Sequence, residues 1–230
     1  MSGPAELPPQ YLFAPMTGRG ANALAHRYGF RNSRALAADV PEGGVVADIG
    51  AGRSPLGRLV AAARPDITWV NFDYRYNDPQ AIEKLRAKAP ENVEYVAGDI
   101  LEPPEELTAR RYDRLYSFWM LPHLTLESSE PAAQALDTML SLTRESGTLR
   151  LGPTKWYGYQ FFGKSFVEIR KQNIPGAEER AAYIGGVVAR LTPEASTRVT
   201  QRALNVLARR EQLRENGRKL GGKTAIDEAR

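Results

Sequence analysis

Glycines and carboxylates stand at the ends of short apolar segments, and they are the residues whose types and spacing could do chemistry. Asp48-Ile-Gly-Ala-Gly52 closes the first segment, Asp73 closes the second, and Gly98-Asp99-Ile100 follows the third. The two glycines of the first group would let the backbone turn tightly and approach a ligand closely. A carboxylate at Asp73 could accept hydrogen bonds from two ribose hydroxyls, and one at Asp99 could accept from the amine of adenine. Together these residues predict an adenosine pocket.

Each of these residues also has a structural alternative. Gly-x-Gly is a common turn, Asp73 could initiate the turn at Asn77-Asp78-Pro79, and Asp99 could cap the segment that follows it. Their joint occurrence at three successive strand ends nevertheless favours a ligand site, because independent signals then agree.

Short apolar strands alternate with helical stretches from Val45 onward, and these elements must position the site. Parallel neighbours need crossover connections, so the alternation predicts an α/β fold with a doubly wound, mostly parallel sheet and helices on both faces. Ligands of such sheets bind beyond the carboxyl ends of the strands. The predicted strands are 45–49, 68–72, 93–97, 113–118 and 148–151. The predicted helices are one or two over 22–38, then 55–63 after the cap Ser54, 79–89 after the cap Asp78, 131–142 and 176–190.

The flanking segments are expected to serve this core. Residues 1–15 carry four prolines and predict an extended arm. Residues 1–44 are interpreted as an arm and helical lid, 45–153 as the cofactor-binding core, and 154–230 as a substrate-side elaboration of the same domain. A length of 230 residues favours one domain. Spacing at 199–208 fits both helix and strand.

Composition excludes several kinds of chemistry. With 42% hydrophobic and 25% charged residues, the chain is typical of globular proteins. The absence of cysteine excludes disulfides, thiolate nucleophiles and cysteine-ligated zinc, and the presence of only two histidines disfavours a His-rich metal site. No apolar run has the length of a membrane span, and the first residues lack the pattern of a signal peptide, so a cytoplasmic location is the default expectation.

The positive charge is concentrated in the C-terminal segment. The whole chain carries +4, whereas residues 196–230 contain nine Arg or Lys and four acids. A basic tail could grip nucleic acid, but Glu211 and Glu215 alternate with arginines at the spacing of a solvated helix. No aromatic residue follows position 195, so base stacking has no support there.

Residues 45–152 resemble class I S-adenosylmethionine-dependent methyltransferases. The resemblance rests on Asp48-x-Gly50-x-Gly52, Asp73, Gly98-Asp99 and the segment 112–118, in the order of the family. It implies a Rossmann-like fold, S-adenosyl-L-methionine as the cofactor and methyl transfer as the reaction. The implied cofactor-binding residues are Asp48, Gly50, Ala51, Gly52, Asp73, Tyr74, Asp99, Ile100, Ser117 and Phe118.

The resemblance also assigns roles. The glycine segment would line the methionine moiety, Asp73 would hold the ribose, Asp99 would meet the adenine amine, and Ser117 with Phe118 would face the methyl-transfer site. The Asn/Asp-Pro-Pro-aromatic signature of enzymes that methylate exocyclic or amide nitrogens is absent. A nicotinamide dinucleotide is the competing cofactor, but Pro55 stands where its fingerprint needs a third glycine.

Methyl transfer from a sulfonium needs a base only when the acceptor holds its proton. His123 is the best-placed candidate base, since it follows the fourth strand and an imidazole titrates near neutral pH; packing after a proline turn is its alternative. His26 could line the lid. The aromatic segment 156–166 could stack on a planar acceptor or pack the sheet edge.

Three function classes follow from these observations. The favoured one is an enzyme that methylates an oxygen or nitrogen of a small molecule. The alternatives are an RNA methyltransferase that uses the basic tail, and a methyltransferase-like protein that binds without turnover. The oligomeric state is not indicated by the sequence, and no membrane partner is expected.

Overall fold

The computed structural model describes residues 20–118, 120–124, 130–152, 167–174 and 176–191. The predicted arm, the aromatic segment 156–166, the ambiguous stretch 199–208 and the basic tail lie outside these ranges. None of the helices in the described part of the chain combines the length and apolar composition of a membrane span.

A six-stranded sheet forms the centre of the molecule, in the order β3-β2-β1-β4-β5-β6. Neighbours from β3 to β5 run parallel, and β6 pairs antiparallel with β5. The doubly wound, mostly parallel sheet is therefore confirmed. The strands are β1 (Val45–Ile49), β2 (Thr68–Asp73), β3 (Val93–Ala97), β4 (Tyr112–Phe118), β5 (Thr143–Gly152) and β6 (Val167–Arg170).

Apart from one added residue at the end of β2, one at the start of β4 and one at the end of β5, two details of the strands differ from the prediction. The expected count of five is wrong, because β6 adds an antiparallel edge. The strand β5 begins at Thr143 and not at Thr148. It starts directly after the helix that ends at Leu142, and Thr143 pairs with Tyr112 of β4 before a shift in the register of the two strands.

Eight α-helices are present in the described ranges. The five predicted helical regions are all confirmed, although the helix predicted over 79–89 ends at Arg86. The helix after β1 begins at Leu56, one residue later than predicted, and Ser54 Oγ accepts a hydrogen bond from the Leu56 N–H at 3.2 Å. The helix after β2 begins at Pro79, and Asp78 Oδ1 accepts from the Gln80 N–H at 3.0 Å. The helices are α1 (Ala21–Arg27), α2 (Ser33–Asp39), α3 (Leu56–Ala63), α4 (Pro79–Arg86), α5 (Glu105–Thr108), α6 (Met120–Leu124), α7 (Glu130–Leu142) and α8 (Ala177–Leu191).

The helices cover both faces of the sheet, as predicted. On one face, α5 to α8 bury Leu107, Leu136 and Val187 against strand residues such as Ile49 and Leu115. On the other, α1 to α4 pack on strand residues of the opposite parity, because successive side chains of a strand point to opposite faces. Two hydrophobic cores result, one on each side of the sheet.

The helices α1 and α2 belong to the second of these cores. Tyr28, at the end of α1, is 2% exposed, and its ring centroid lies 4.9 Å from that of Tyr116 on β4. The indole of Trp69 stacks on the Tyr116 ring, with 5.9 Å between the ring centroids. Arg114 Nε bonds the carboxylate of Asp39 at 2.7 Å, which ties α2 to β4 as well. The predicted lid region thus contributes fully buried side chains to the core.

Candidate functional site

The glycine loop that follows β1 is a tight turn across the end of β2. Gly50 has φ +78° and Gly52 has φ +56°, conformations that side-chain-bearing residues rarely adopt. The N–H groups of Gly50 and Ala51 both donate to the carbonyl of Phe72, at 2.8 and 3.1 Å. A β-carbon at Gly50 would lie 3.3 Å from Met120 Cβ, so the loop also lies close to the start of α6. The predicted tight turn is present.

Asp73 ends β2 directly beside this loop. Its Oδ2 accepts from the Gly52 N–H at 2.8 Å, and its Oδ1 accepts from the Arg75 N–H at 2.9 Å. The second bond caps a 3₁₀ turn over Tyr74–Asn77. Burial raises the pKa of Asp73, and the two amide donors oppose that rise. A carboxylate has about four acceptor positions, so each oxygen retains one for a ligand hydroxyl.

Sequence reasoning missed Tyr76, which secures the loop from the other side. Its hydroxyl donates to the Gly52 carbonyl at 2.6 Å, and the residue is 4% exposed. Gly52 is therefore held through both its N–H and its C=O. The predicted neighbour Tyr74 is partly buried, and its carbonyl accepts from Asn77 Nδ2 at 2.9 Å. The sequence signal that could have indicated this contact is the position of the aromatic Tyr76, three residues after the acid Asp73 that ends β2.

Asp48 lies on the sheet face that α1 to α4 cover and is 3% exposed. Its Oδ1 accepts a hydrogen bond from the hydroxyl of Tyr28 at 3.2 Å. Burial raises the pKa of Asp48 to about 7, the Tyr28 hydrogen bond opposes the rise, and the charge of Asp73 adds to it. Tyr28 was not among the predicted site residues.

The segment after β3 turns sharply at Asp99. The Asp99 Oδ1 accepts from the Leu101 N–H at 2.9 Å, the local bond that the structural alternative for this residue predicts. Ile100 is 2% exposed and packs in the core on the α5 to α8 face. Asp99 itself is partly buried.

The end of β4 carries Ser117 and Phe118. Ser117 is 1% exposed, and its Oγ has no hydrogen-bond partner within the described ranges. The ring of Phe118 lies against Gly152 at the end of β5. A β-carbon added to Gly152 would lie only 2.9 Å from the atoms of this ring. The guanidinium of Arg27 lies 4.8 Å from the Phe118 ring centroid, which places the end of α1 over the ends of β4 and β5.

The two histidines lie on different elements. His123 belongs to the short helix α6, two positions after Leu121, and its side chain lies outside the described set. His26 is exposed on α1. The proposed base thus follows β4 closely in the chain, at the edge of the sheet where the glycine loop lies.

No protein-family model matches this sequence, and no curated protein matches it. Solved structures do match. The chain is similar to a TehB-like SAM-dependent methyltransferase from Corynebacterium glutamicum, with 17% identity, 69% of this chain and 70% of that chain covered, and a TM-score of 0.44. It is similar to SAM-bound CalS10, an amino pentose methyltransferase from Micromonospora echinaspora, with 19% identity, 65% and 55% covered, and a TM-score of 0.45.

A third similar structure is the N-methyltransferase NodS from Bradyrhizobium japonicum in complex with S-adenosyl-L-homocysteine (SAH), with 23% identity, 49% and 53% covered, and a TM-score of 0.39. The chain spans 54% of a matched chain in the Haloferax volcanii Trm112 complex, and 35% of coclaurine N-methyltransferase. The solved structures named here are methyltransferases, and CalS10 and NodS were solved with S-adenosylmethionine (SAM) or SAH bound.

Proposed function

We propose that this protein is a SAM-dependent methyltransferase that transfers a methyl group to an oxygen or nitrogen of a small molecule. The observation that carries the proposal is the contact between Asp73 and the N–H of Gly52, which joins the ends of β2 and β1. The strand order reverses between β1 and β4, and ligands of doubly wound sheets bind in the crevice at such a switch point.

The residues at this crevice suit the cofactor. The exposed Gly50 and the partly buried Gly52 present backbone without side chains, as close approach of a ligand requires. Asp73 keeps acceptor positions for two ribose hydroxyls, and Asp99 is proposed to accept from the adenine amine. When bound, SAM supplies the methyl group on a sulfonium that is already a good leaving group.

The chain's own contribution is positioning and exclusion of water. The loop is fixed before any ligand arrives, because Gly52 is bonded through both backbone groups. Phe118 and Arg27 form a half-buried wall over the ends of β4 and β5. Holding the acceptor in line beside such a wall supplies most of the rate enhancement that this reaction needs. His123 is proposed as the group that takes the proton of the acceptor when it has one.

The acceptor is proposed to be a small molecule because the basic segment 196–230 contains no aromatic residue that could stack on bases. The surplus of arginine in that segment keeps RNA as the alternative acceptor, and a binding protein without turnover is the third possibility. Residues 154–230 are proposed to complete the acceptor side of the site.

The first experiment asks whether the cofactor binds. SAM and SAH at millimolar concentration should raise the melting temperature by several degrees, whereas NADH should not. Asp73→Asn should abolish most of the shift, and Asp78→Asn, which changes an exposed cap of α4, should leave it intact. An absence of any shift with the wild-type protein contradicts the proposal.

The second experiment identifies the acceptor. The full chain is incubated with methyl-labelled SAM and with separate small-molecule and RNA fractions, and label is expected in the small-molecule fraction. Label in RNA that is lost in Arg209→Gln/Arg210→Gln would favour the alternative acceptor, because those arginines would contact phosphates. Cofactor binding without label in any fraction would favour the protein without turnover.

A further inference from the structure

Two carboxyl groups flank the glycine loop, and their surroundings differ. Asp73 is bonded by two backbone amides, at 2.8 and 2.9 Å, which stabilise its ionised form. Asp48, two residues before Gly50, is more deeply buried and accepts from the Tyr28 hydroxyl at 3.2 Å. A pair of carboxyl groups with contrasting environments often divides two tasks between its members.

The surroundings of Asp48 make its charge costly. Its register partners on the neighbouring strands are Asn71 and Tyr116. Both are almost completely buried, and Asn71 Nδ2 and Tyr116 Oη lack hydrogen-bond partners in the described part of the chain. A buried carboxylate with so little hydrogen bonding is poorly compensated for the water it has lost.

Among the described residues, the titratable groups that interact electrostatically with Asp48 come from four elements. Tyr28 follows α1, Tyr116 is on β4, Tyr76 is in the 3₁₀ turn, and Asp73 ends β2. Burial raises the pKa of all three tyrosines, so they remain neutral near pH 7. Asp73 adds a negative charge, which further disfavours ionisation of Asp48. A positive charge that entered the crevice would favour the ionised carboxylate.

From this geometry we infer that Asp48 is a specificity-determining residue that distinguishes SAM from its product SAH by charge. The inference rests on the proposed function. The two molecules share the amino-acid and adenosine groups, but SAM carries a sulfonium cation where SAH carries a neutral thioether. The cation stabilises the ionised Asp48 carboxylate, and the thioether does not.

This discrimination couples binding to a proton. When SAM binds, the carboxyl proton of Asp48 leaves to solvent, and the carboxylate then interacts with the sulfonium. When the methyl group has been transferred, the positive charge leaves with it, and Asp48 takes a proton back from solvent. By reciprocity, the affinity for SAM must rise with pH as Asp48 ionises, while the affinity for SAH changes little. The loss of the positive charge on methyl transfer thus lowers the affinity for SAH relative to that for SAM.

Tyr28 acts on this residue as a positioning group. Its hydroxyl donates to Asp48, and its ring packs edge-on against Phe118 at 5.8 Å between centroids. Tyr28→Phe removes a hydrogen bond that favours the charged form of Asp48, so the pH at which SAM selectivity appears should move upward.

The test is isothermal titration calorimetry of the full chain with SAM and with SAH, at pH 5.5 and 7.5 and in two buffers of different ionisation enthalpy. For the wild type, the ratio of the SAH Kd to the SAM Kd should rise about tenfold between the two pH values, within the usual range of coupling between sites. SAM binding near pH 7 should release protons, and SAH binding should release fewer.

Asp48→Asn keeps the size of the side chain and should make this ratio constant within about twofold. Both ligands carry an amino group that titrates near pH 8, and this variant reports that background. Asp113→Asn is the matched control, since Asp113 is a buried carboxyl that accepts from the N–H of Val45 at the opposite end of β1. In Asp113→Asn, the ratio of the SAH Kd to the SAM Kd should change with pH as it does in the wild type.

Three outcomes overturn the inference. The wild-type ratio could be independent of pH although both ligands bind, or Asp48→Asn could retain the wild-type dependence. If Asp48→Asn does not fold, Tyr28→Phe decides instead: ratios of the SAH Kd to the SAM Kd at pH 5.5 and 7.5 equal to those of the wild type would have the same meaning. Failure of the wild type to bind either ligand would instead contradict the proposed function itself, so the two failures are distinguishable.

Discussion

The carboxylate of Asp73 and the backbone N–H of Gly52 are 2.8 Å apart, although 21 positions separate them in the chain. An acid at the end of β2 therefore holds the loop at the end of β1 in its conformation. Because the same acid is proposed to bind the ribose, the cofactor would contact a side chain that is already oriented. Preorganisation of this kind lowers the entropic cost of binding.

Asp73→Asn tests that relationship. The amide can replace one oxygen acceptor, but its NH₂ group then faces a backbone N–H. We expect SAM affinity to fall about tenfold to a hundredfold, the range of one or two lost charge-assisted hydrogen bonds. The measurement is the Kd by calorimetry, with Asp78→Asn as the control. A Kd within twofold of the wild type would show that Asp73 does not contact the cofactor.

Asp48 should make the stability of the free protein depend on pH. Its pKa is about 7 in the folded protein, above that of the unfolded chain, so the folded state binds more protons between these values. Stability should therefore fall as pH rises from about 4 to 7, by as much as about 4 kcal/mol relative to Asp48→Asn. Urea unfolding of both proteins at pH 4.5 and 7.5 measures the difference. If the free energy of unfolding changed equally with pH in the wild type and in Asp48→Asn, this prediction would be wrong.

Gly57 and Gly186 should respond in opposite directions to alanine. A β-carbon at Gly57 would overlap the indole of Trp69 and lie 2.9 Å from Asn71 Oδ1, both fully buried. Gly57→Ala should cost at least about 2 kcal/mol. Gly186 is in the middle of α8, and no described residue lies within 4 Å of the added atom, so Gly186→Ala should stabilise the protein by about 0.5–1 kcal/mol. The melting temperatures of the two variants measure these effects. Equal shifts in Gly57→Ala and Gly186→Ala would contradict the packing around Gly57.

Asn92 joins the α3–β2 connection to the start of β3. Its Nδ2 donates to the carbonyls of Ala61, Arg64 and Ile67, at 3.1, 3.0 and 2.8 Å. Asn92→Ala removes this side-chain donor from all three carbonyls, although those of Ala61 and Arg64 also accept from the backbone N–H groups of Arg64 and Ile67. The loss should reduce the free energy of unfolding by about 1–3 kcal/mol. Asn77→Ala, which loses one exposed bond, should cost much less. Chemical denaturation compares the two, and equal losses would argue against a special role for Asn92.

The regular elements of the core could be predicted because their signals are local. The cap Asp78 and the apolar runs of β1 and β3 can be recognised from residues that are neighbours in the chain. The predicted starts and ends of these elements were therefore close to the observed ones. The strand β6 was missed because its four residues gain their conformation only by pairing with β5. The structural alternative for Asp73 was a turn at Asn77-Asp78-Pro79, whereas its carboxylate caps the earlier 3₁₀ turn over Tyr74–Asn77, a segment without periodicity.

The candidate site was predictable to a similar extent. Strand ends locate Gly52 and Asp73, because every parallel strand delivers its last residue to the same edge of the sheet. Tyr28 and Tyr76 reach Asp48 and Gly52 across 20 and 24 positions, and no periodicity indicates such contacts. They depend on how α1 and the 3₁₀ turn pack, which is a property of the assembled fold.

The burial of Tyr28 between α1 and β4 sets an order on folding. Helices α1 and α2 precede the rest of the described fold in the chain, but their partners Tyr116 and Arg114 are synthesised much later, with 75 positions between Asp39 and Arg114. The carbonyl of Tyr28 also bonds Arg150, 122 positions onward. Loops of this length are costly to close early, so the N-terminal helices should consolidate only after β4 and β5 exist. During synthesis, the earliest residues of the core would be the last to become protected.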